Sequence, residues 1–481
     1  MTLSFRPEIL WSDALLFLLL AALAVFAWQV GRHEHLREPW RRVGRSRMGM
    51  GAAVLLAAYA LVGILDSLHF RPALPAEPGQ PVHYAAEVHS VLDTLVGPLR
   101  TQVEETYSAP LALHLYAKET MELPDGRQVR DFPRLKFGGA HLAGVEARAG
   151  DIAGHIGMGL LAGGVASALA LGLALVFVGL GAGPQGPSGS PGHLGITGAW
   201  SALSRSSSLA GLRAGLIVLC LLLLLAAAVI QLAPHYHILG TDKVGQDVFY
   251  LSLKSVRTGL LIGTLTTLIM LPLALFLGVA AGYYGGRADD AIQYLYTTLN
   301  SIPGVLLIAS AVLVAQVYIE THPELFDTAA ARSDLRLVFL CLILGMTSWT
   351  GLARLLRGET LKLREMDYIQ AARAFGISHL RILGRHILPN VAHLVLIAVV
   401  IDFSGLVLAE AVLSYVGVGV DPVTASWGNM INGARLELAR EPIVWWQLAA
   451  AFVFMFALVL PANLFADSVR EAFDPRAGGQ A

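Results

Sequence analysis

Nine apolar runs of about 20 residues set the first constraint on this 481-residue chain. Wound as a helix, such a run matches the roughly 30 Å hydrocarbon layer of a bilayer. The spans read at about 10–31, 48–66, 155–182, 211–232, 258–284, 290–318, 335–356, 390–414 and 444–467. Leu, Val, Ala and Ile recur in them without a polar stripe, as suits helices that face lipid or other helices on most sides. Composition agrees: only 14% of residues are charged, against roughly a quarter in soluble domains. The expected fold is an all-α polytopic membrane protein, with membrane lipid as its surroundings and no nucleic-acid partner.

Placement of Lys and Arg, rather than the near-zero net charge, sets the expected orientation. Loop 32–47 holds Arg32, Arg37, Arg41, Arg42, Arg45 and Arg47 against Glu34 and Glu38. It is expected inside, with the N-terminus outside, and the same arginines suit a retained anchor rather than a cleaved leader. Threading the spans then puts loops 183–210 and 357–389 inside, along with the C-terminus. The second of these carries Arg357, Lys362, Arg364, Arg373, Arg381 and Arg385 against Glu359, Glu365 and Asp367. Loop 67–154 falls outside. Rich in proline (Pro72, Pro75, Pro78, Pro81) and mixed with charged and aromatic residues, it reads as a small extracytoplasmic domain.

Several features exclude chemistry. Cys220 and Cys341 sit inside apolar runs and read as small fillers. His83, His89, His114 and His141 lack metal-ligand spacing, so they read as solvated or capping residues and no metal site is expected. Residues 183–192, Gly-Pro-Gln-Gly-Pro-Ser-Gly-Ser-Pro-Gly, read as a flexible linker. No Gly-x-x-x-x-Gly-Lys-Ser/Thr phosphate loop occurs, so any ATP that drives the protein is bound by another chain.

The segment 368–390, Tyr-Ile-Gln-Ala-Ala-Arg-Ala-Phe-Gly-Ile-Ser-His-Leu-Arg-Ile-Leu-Gly-Arg-His-Ile-Leu-Pro-Asn, is basic and half apolar. Held between two spans, it presents a folded surface at the membrane face. Ala371 and Ala372 favour a helix and let a partner approach the backbone. Gly376 suits a left-handed cap, and a second helix runs over Leu380, Ile382 and Leu383. Pro389 is expected to close that helix before the chain re-enters the membrane. On spacing alone, docking into a partner's groove and lying on anionic lipid stand equal.

Two carboxylates share one apolar span. Glu410 reads as bracing its outer end. Asp402 lies roughly 20 Å beyond Pro389 at 1.5 Å per residue. A mid-span aspartate costs about 2.5–3.5 kcal/mol on insertion, which the surrounding Leu, Ile, Val and Phe offset. Such a residue either lines a translocation path or hydrogen-bonds a neighbouring helix.

The 368–390 segment resembles the cytoplasmic signature of permeases of ATP-binding-cassette (ABC) importers: Glu-Ala-Ala, three residues, Gly, nine residues, Ile-x-Leu-Pro. Ala371, Ala372, Gly376, Leu388 and Pro389 match it; Gln370 replaces the Glu, and His386 stands where Ile is expected. Three further segments resemble the dipeptide/oligopeptide/nickel branch of that family. Leu239-Gly240-Thr241-Asp242, with Gly245 and Asp247, is similar to Leu-Gly-Thr-Asp-x-x-Gly-Arg-Asp, with Gln246 in place of the Arg. Gly282-Tyr-Tyr-Gly-Gly-Arg-Ala-Asp289 is similar to the Gly-Tyr-x-Gly-Gly-x-x-Asp turn. Leu408–Gly419, followed by Ser426-Trp-Gly, is similar to the Ala-Glu-Ala-x-Leu-Ser run and its later Ser-Trp-Gly. Read physically, Asp242 and Asp247 are N-caps or turn formers on the outer surface. Gly259 with Gly263, and Gly278 with Gly282, make close-packing faces. Pro272 and Pro303 permit kinks.

The resemblance implies an ABC importer type I permease core of about six helices over 211–470, with coupling loop 357–389. Before it stand two spans (1–66), the outer domain (67–154) and an additional span with the linker (155–210); a cytoplasmic tail follows (471–481). It further implies a second homologous permease, two cytoplasmic ATPases and a periplasmic substrate-binding protein in a bacterial inner membrane. Peptides or similar small solutes would be the cargo. ATP and Mg would be used by the ATPases, with no cofactor and no catalytic residue here. Gln370, Ala371, Ala372, Gly376, Leu388 and Pro389 would dock an ATPase; Asp402 and Glu410 are the pathway candidates. Two other classes stand beside this: a proton-coupled secondary transporter relaying through Asp402, and a membrane scaffold or sensor built on 67–154.

Overall fold

The computed structural model describes residues 5–74, 83–122, 128–181, 196–326 and 328–473. The linker read at 183–192 and the tail beyond 473 lie outside the described residues. Strand β1 (Phe5–Glu8) leads into helix α1 (Trp11–Arg32), amphipathic α2 (Glu34–Arg45) and α3 (Arg47–Ser67). The segment between α3 and α6, expected above to lie outside and called the outer segment for that reason, adds β2 (His69–Pro72), β3 (His89–Ser90), α4 (Val91–Leu95), α5 (Gly97–Thr101), β4 (Glu119–Glu122) and β5 (Gln128–Asp131). Strands β1, β2 and β3 form one antiparallel sheet in that order, with Phe5 opposite Pro72; β4 and β5 pair separately. Then come α6 (Arg148–Gly181), α7 (Ile196–Arg205), α8 (Ala210–Leu232), α9 (Val248–Tyr284), α10 (Gly286–Ser301) and α11 (Gly304–Thr321). The chain continues through α12 (Ala329–Ser348), α13 (Thr350–Arg364), α14 (Asp367–Ala374), α15 (His379–Ile382), α16 (Leu388–Val416), α17 (Trp427–Glu437) and α18 (Trp446–Phe473).

Among the described residues, nine helical segments are long and apolar enough to cross a membrane, six of them from Ser207 onward. One boundary differs from the sequence reading of a span at 290–318. Residues 286–301 form a separate helix, and the crossing segment is Gly304–Thr321. The cause is local. Arg287, Asp289, Asp290, Gln293 and Asn300 make α10 too polar for lipid. Ile302 is extended ahead of Pro303 (φ −89°, ψ 131°), and Pro303 caps the next helix instead of kinking it.

Helix α9 is the axis of the bundle, packing on α3, α12, α13, α16 and α18. Its glycines differ in use. At Gly278 and Gly282 a Cβ would lie 2.6 Å from the Ala353 carbonyl oxygen and 2.7 Å from that of Arg357, so α9 and α13 touch backbone to backbone. Gly259 instead makes room for the ring of Trp427, and Gly263 for that of Phe403. Gly159 and Gly163 of α6 lie against the α8 backbone at Ala228 and Leu224 in the same backbone-contact mode.

At one end of the bundle, Val43 of α2 packs with Val469 and Ala472 of α18, and Gly211 meets the Gly44 carbonyl. At the other end, charges hold the N-terminal half of α9. Tyr250, Lys254 and Arg257 follow one helical face. Arg257 Nη2 lies 2.7 Å from Asp13 Oδ1 and 3.5 Å from Asp334 Oδ1, and its Nε donates to Ser67 Oγ at 3.2 Å. Ser12 N–H donates to Asp334 at 2.9 Å, and His69 bonds Asp13 at 2.7 Å. Lys254 bridges Asp66 (2.5 Å) and Asp93 (3.0 Å). Replacing Arg257 by Leu removes the guanidinium from two buried aspartates, which keep His69 and Ser12 beside them, so Arg257→Leu is expected to cost about 3–5 kcal/mol. The check is the thermal unfolding midpoint and the monodisperse yield in detergent; an unchanged midpoint refutes a structural role for the cluster.

Candidate functional site

The elbow between α13 and α16 is built as two short helices around Gly376. Ile377 N–H donates to the Ala372 carbonyl (3.1 Å) and Gly376 N–H to that of Arg373 (2.9 Å), closing α14 with a Schellman cap. Gly376 sits at φ +75°, where a Cβ would be strained. Ile369, Ala372, Ile382 and Ile387 turn inward and join Tyr283 of α9, Leu356 of α13 and Val391 of α16 in one apolar cluster. Ala371 and Gln370 face outward, and the Gln370 amide donates to the Glu365 carbonyl at 3.1 Å. Thus only one of the two alanines is open to a partner. Phe375 and Leu380 are 86% and 79% exposed at the tip.

Pro389 does not close a helix, contrary to the sequence expectation. A π-helical segment, Leu383–Ile387, joins α15 to α16, and Pro389 sits in the first turn of α16. The wider π turn shifts the hydrogen-bond register just ahead of the ring, so its missing N–H falls at a seam. Asn390 then reaches back to the His386 carbonyl at 2.6 Å. The Gly282–Asp289 turn supports the elbow from beside. Gly285 and Gly286 have φ +65° and +51°, and Asp289 takes both Nε and Nη2 of Arg357 at 2.6 and 2.7 Å. This guanidinium holds the Asp289 carboxyl below the usual range. Tyr283 Oη bonds His379 at 2.8 Å, and the Arg373 guanidinium lies 4.5 Å from the Tyr283 ring centre.

At the opposite end, residues 237–248 form a clasped loop. Asp242 Oδ1 accepts from Val244 and Gln246 N–H, each at 2.9 Å, shaping the turn; Asp247 Oδ1 caps α9 through Tyr250 N–H at 3.0 Å. Both aspartates are buried, because the outer segment covers them. Thr241 N–H donates to the Ser108 carbonyl and its Oγ1 to that of Thr106 (3.1 and 2.8 Å). Gly240 and Gly245, at φ +72° and +77°, face the backbones of Ser108 and Glu104 with no room for a Cβ. Trp446 Nε1 donates to the Thr241 carbonyl at 2.9 Å, and Leu239 packs in the same apolar cluster.

Glu104 was not singled out in the sequence, yet it is the centre of this clasp. Its carboxylate accepts from Lys136, Phe137 and Gly138 N–H (2.8, 2.9 and 3.1 Å) and lies 3.3 Å from His237 Nε2. His237 Nδ1 meets Asp247 at 2.8 Å. Burial raises the Glu104 carboxyl, but the His237 bond and the amides outweigh it and bring it to about 2. Burial likewise opposes the His237 imidazolium, but Asp247 and Glu104 raise it to about 9.

The two span carboxylates are placed differently. Glu410 is buried, accepts from Ser414 Oγ at 2.7 Å, and stands so close to Gly428 that a Cβ there would lie 2.9 Å from Oε1. Gly428 is in the first turn of α17, whose N-terminus Ser426 caps, so the Glu410 carboxyl sits at a helix N-terminus. Asp402 is half-buried and has no hydrogen-bond or ion-pair partner among the described residues. A bond to a neighbouring helix is therefore not part of its surroundings. Sequence spacing also missed a group of His141, His155 and His235, whose ligand atoms lie within 4.8 Å of one another. They come from three separate segments, so only folding brings them together.

Six crossing segments with an exposed elbow at one end and a clasped polar loop at the other define a transport permease. Residues 274–479 match the family described as "binding-protein-dependent transport system inner membrane component". The oligopeptide transport system permease protein OppC of Mycobacterium tuberculosis is 32% identical over 248 residues, 52% of this chain and 79% of that protein. The dipeptide transport system permease protein DppC of Bacillus subtilis is 26% identical over 279 residues, 55% of this chain and 81% of its own length. The probable D,D-dipeptide transport system permease protein DdpC of Escherichia coli is 30% identical over 244 residues, covering 51% and 75% respectively. The chain belongs to this family, the permease subunits of ABC importers.

The clasp has a predictable pH response. A His raised from 6.5 to about 9 holds its proton more tightly in the folded state. Its stabilisation is complete below its unfolded value and is lost as pH rises through about 9. Glu104, lowered to about 2, contributes above its ordinary 4.5 and loses that as pH falls through about 2. Amide exchange at 237–248 is therefore expected to lose protection, beyond the intrinsic pH effect, as pH rises from 6.5 through 9. His237→Gln should remove that extra dependence; if the variant keeps it, the His237 assignment fails.

Proposed function

We propose that the elbow docks a cytoplasmic ATPase and that this chain, paired with a second homologous permease, forms the path for peptides or similar small solutes. A periplasmic binding protein would deliver the cargo. The observation that carries this reading is the elbow itself: an exposed apolar tip, Phe375 and Leu380, on a frame bonded to α9, α13 and α16. A knob of that kind suits a partner's groove, and the frame passes its displacement into the membrane helices. Gln370, Ala371, Gly376, Leu388 and Pro389 lie in or beside this surface, whereas Ala372 supports it from within. The chain performs no covalent chemistry; ATP and Mg belong to the ATPases.

The same reading sets orientation. The end bearing α2, with Arg37, Arg41, Arg42 and Arg45, also bears the elbow, as the positive-inside rule requires of a cytoplasmic face. The N-terminus is then periplasmic and the C-terminus cytoplasmic, in a bacterial inner membrane. The outer segment would contribute to the receptor-facing surface. Asp402 lines the path: it is half-buried, unpartnered, and next to the exposed stripe Ile401, Leu408, Val412 and Tyr415 that would meet the second permease.

A charge at Ala371 (Ala371→Glu) or at Phe375 (Phe375→Asp) is expected to abolish ATPase co-purification and reduce uptake at least tenfold, with membrane insertion unchanged. Uptake and co-purification at wild-type levels in both variants would remove the docking assignment. Asp402→Asn should keep the ATPase bound while altering the uptake rate. Uptake that survives loss of ATP but fails on this substitution would favour a proton-coupled carrier instead.

A further inference from the structure

We infer that His141, His155 and His235 form a binding site for a borderline divalent transition-metal ion, with Zn2+ as its probe, where the outer segment meets the α6–α8 hairpin. His141 lies in the loop ahead of α6, His155 in its second turn, and His235 just beyond α8. The rings converge, with centroids 5.0 Å apart for His141 and His235, 4.4 Å for His155 and His235, and 6.2 Å for His141 and His155. One ligand nitrogen from each lies within 4.8 Å of the others. Tetrahedral coordination at about 2.0–2.1 Å brings such nitrogens to roughly 3.3 Å, a distance side-chain rotation can close.

Two other observations point to a ligand. The Nδ1 of His155 is buried and has no hydrogen-bond partner, although buried polar atoms are nearly always paired. Coordination would satisfy such an atom. Asp151, one turn before His155, has Oδ2 2.9 Å from His141 Nε2 and 3.7 Å from His155 Nε2. The same oxygen accepts from Tyr236 Oη at 2.6 Å. A carboxylate that orients imidazoles while being held by another hydrogen bond is the usual outer support of a histidine metal site. Three imidazoles select Zn2+, Ni2+ or Cu2+ over Mg2+ and Ca2+, which prefer oxygen. Each histidine comes from a different segment, so a bound ion would tie the outer segment to α6 and to the end of α8. This site lies away from the elbow, and the inference does not depend on the transport reading.

The test uses the full chain, free of any polyhistidine tag, in lipid nanodiscs after chelator treatment. Zn2+ is titrated against a chromophoric chelator, and Co2+ serves as the spectroscopic probe. One Zn2+ per chain is expected, with a Co2+ visible spectrum that Zn2+ displaces and a thermal midpoint that rises with Zn2+. H155A and H235A should each weaken binding at least tenfold, and D151N by about tenfold. H141C should retain the ion and add a thiolate-to-cobalt charge-transfer band, a gained signal that stands even if an alanine variant misfolds. Absence of stoichiometric binding at micromolar Zn2+, undiminished binding in the H141A/H155A/H235A triple variant, or no charge-transfer band in Co2+-loaded H141C would each overturn the site and leave ring packing as the cluster's role.

Discussion

A cation inside an apolar helix has to find its anions within the protein, and Arg257 finds them on two others. Asp13 belongs to α1 and Asp334 to α12, more than 300 residues apart, and both close on one guanidinium in the N-terminal half of α9. One turn away, Lys254 collects Asp66 from the end of α3 and Asp93 from the outer segment. The C-terminal half of α9 is held by a different force. There Gly278 and Gly282 admit the α13 backbone, and dispersion over a short interaxial distance replaces charge. The axis of the bundle is therefore pinned by ion pairs at one end and by contact packing at the other.

That division explains how the first 210 residues become part of the permease. Strand β1, just ahead of α1, pairs with β2, just after α3, so the sheet ties the start of α1 to the end of α3. The segment from Glu104 to Ser108 then lies directly on the Thr241 loop, where Gly240 and Gly245 leave only backbone thickness between them. Glu104 fixes three amides of the outer segment with one carboxylate while facing His237, which in turn is held by the cap residue of α9. The outer segment thus reaches the axis helix through a continuous chain of hydrogen bonds.

The crossing helices were legible because unbroken apolarity needs no partner to be recognised. Gly376 was legible for a similar reason: a left-handed cap is a demand of one residue on its own backbone. The polar stretch at 290–301 was absorbed into a span because the apolar run after Pro303 dominates any window that includes both. Pro389 was misjudged because a π turn, a register change over five residues, leaves no compositional trace. Arg257, Glu104 and the three histidines were beyond reach for another reason. Their meaning lies in partners such as Asp334, Gly138 and His235, whose proximity is a product of the fold and has no fixed spacing.

The contacts around α16 close into a ring. The helix runs from the elbow for 29 residues, roughly 43 Å, and its far end carries Glu410. That carboxylate stands at the N-terminus of α17 beside Gly428, so α17 is bound to α16. Trp427 of α17 fills the space over Gly259 and donates to the Ser252 carbonyl at 3.2 Å, which binds α17 to α9. At its C-terminal end α9 presents Tyr283 back to the elbow through His379. The three helices are therefore coupled, because bending any one alone would break a buried polar contact or a ring-filled glycine site. Beside this ring, Ile401, Leu408 and Val412 of α16 stay exposed next to Asp402, while Tyr415 lies under the Arg435 guanidinium of α17, 5.2 Å from its ring centre.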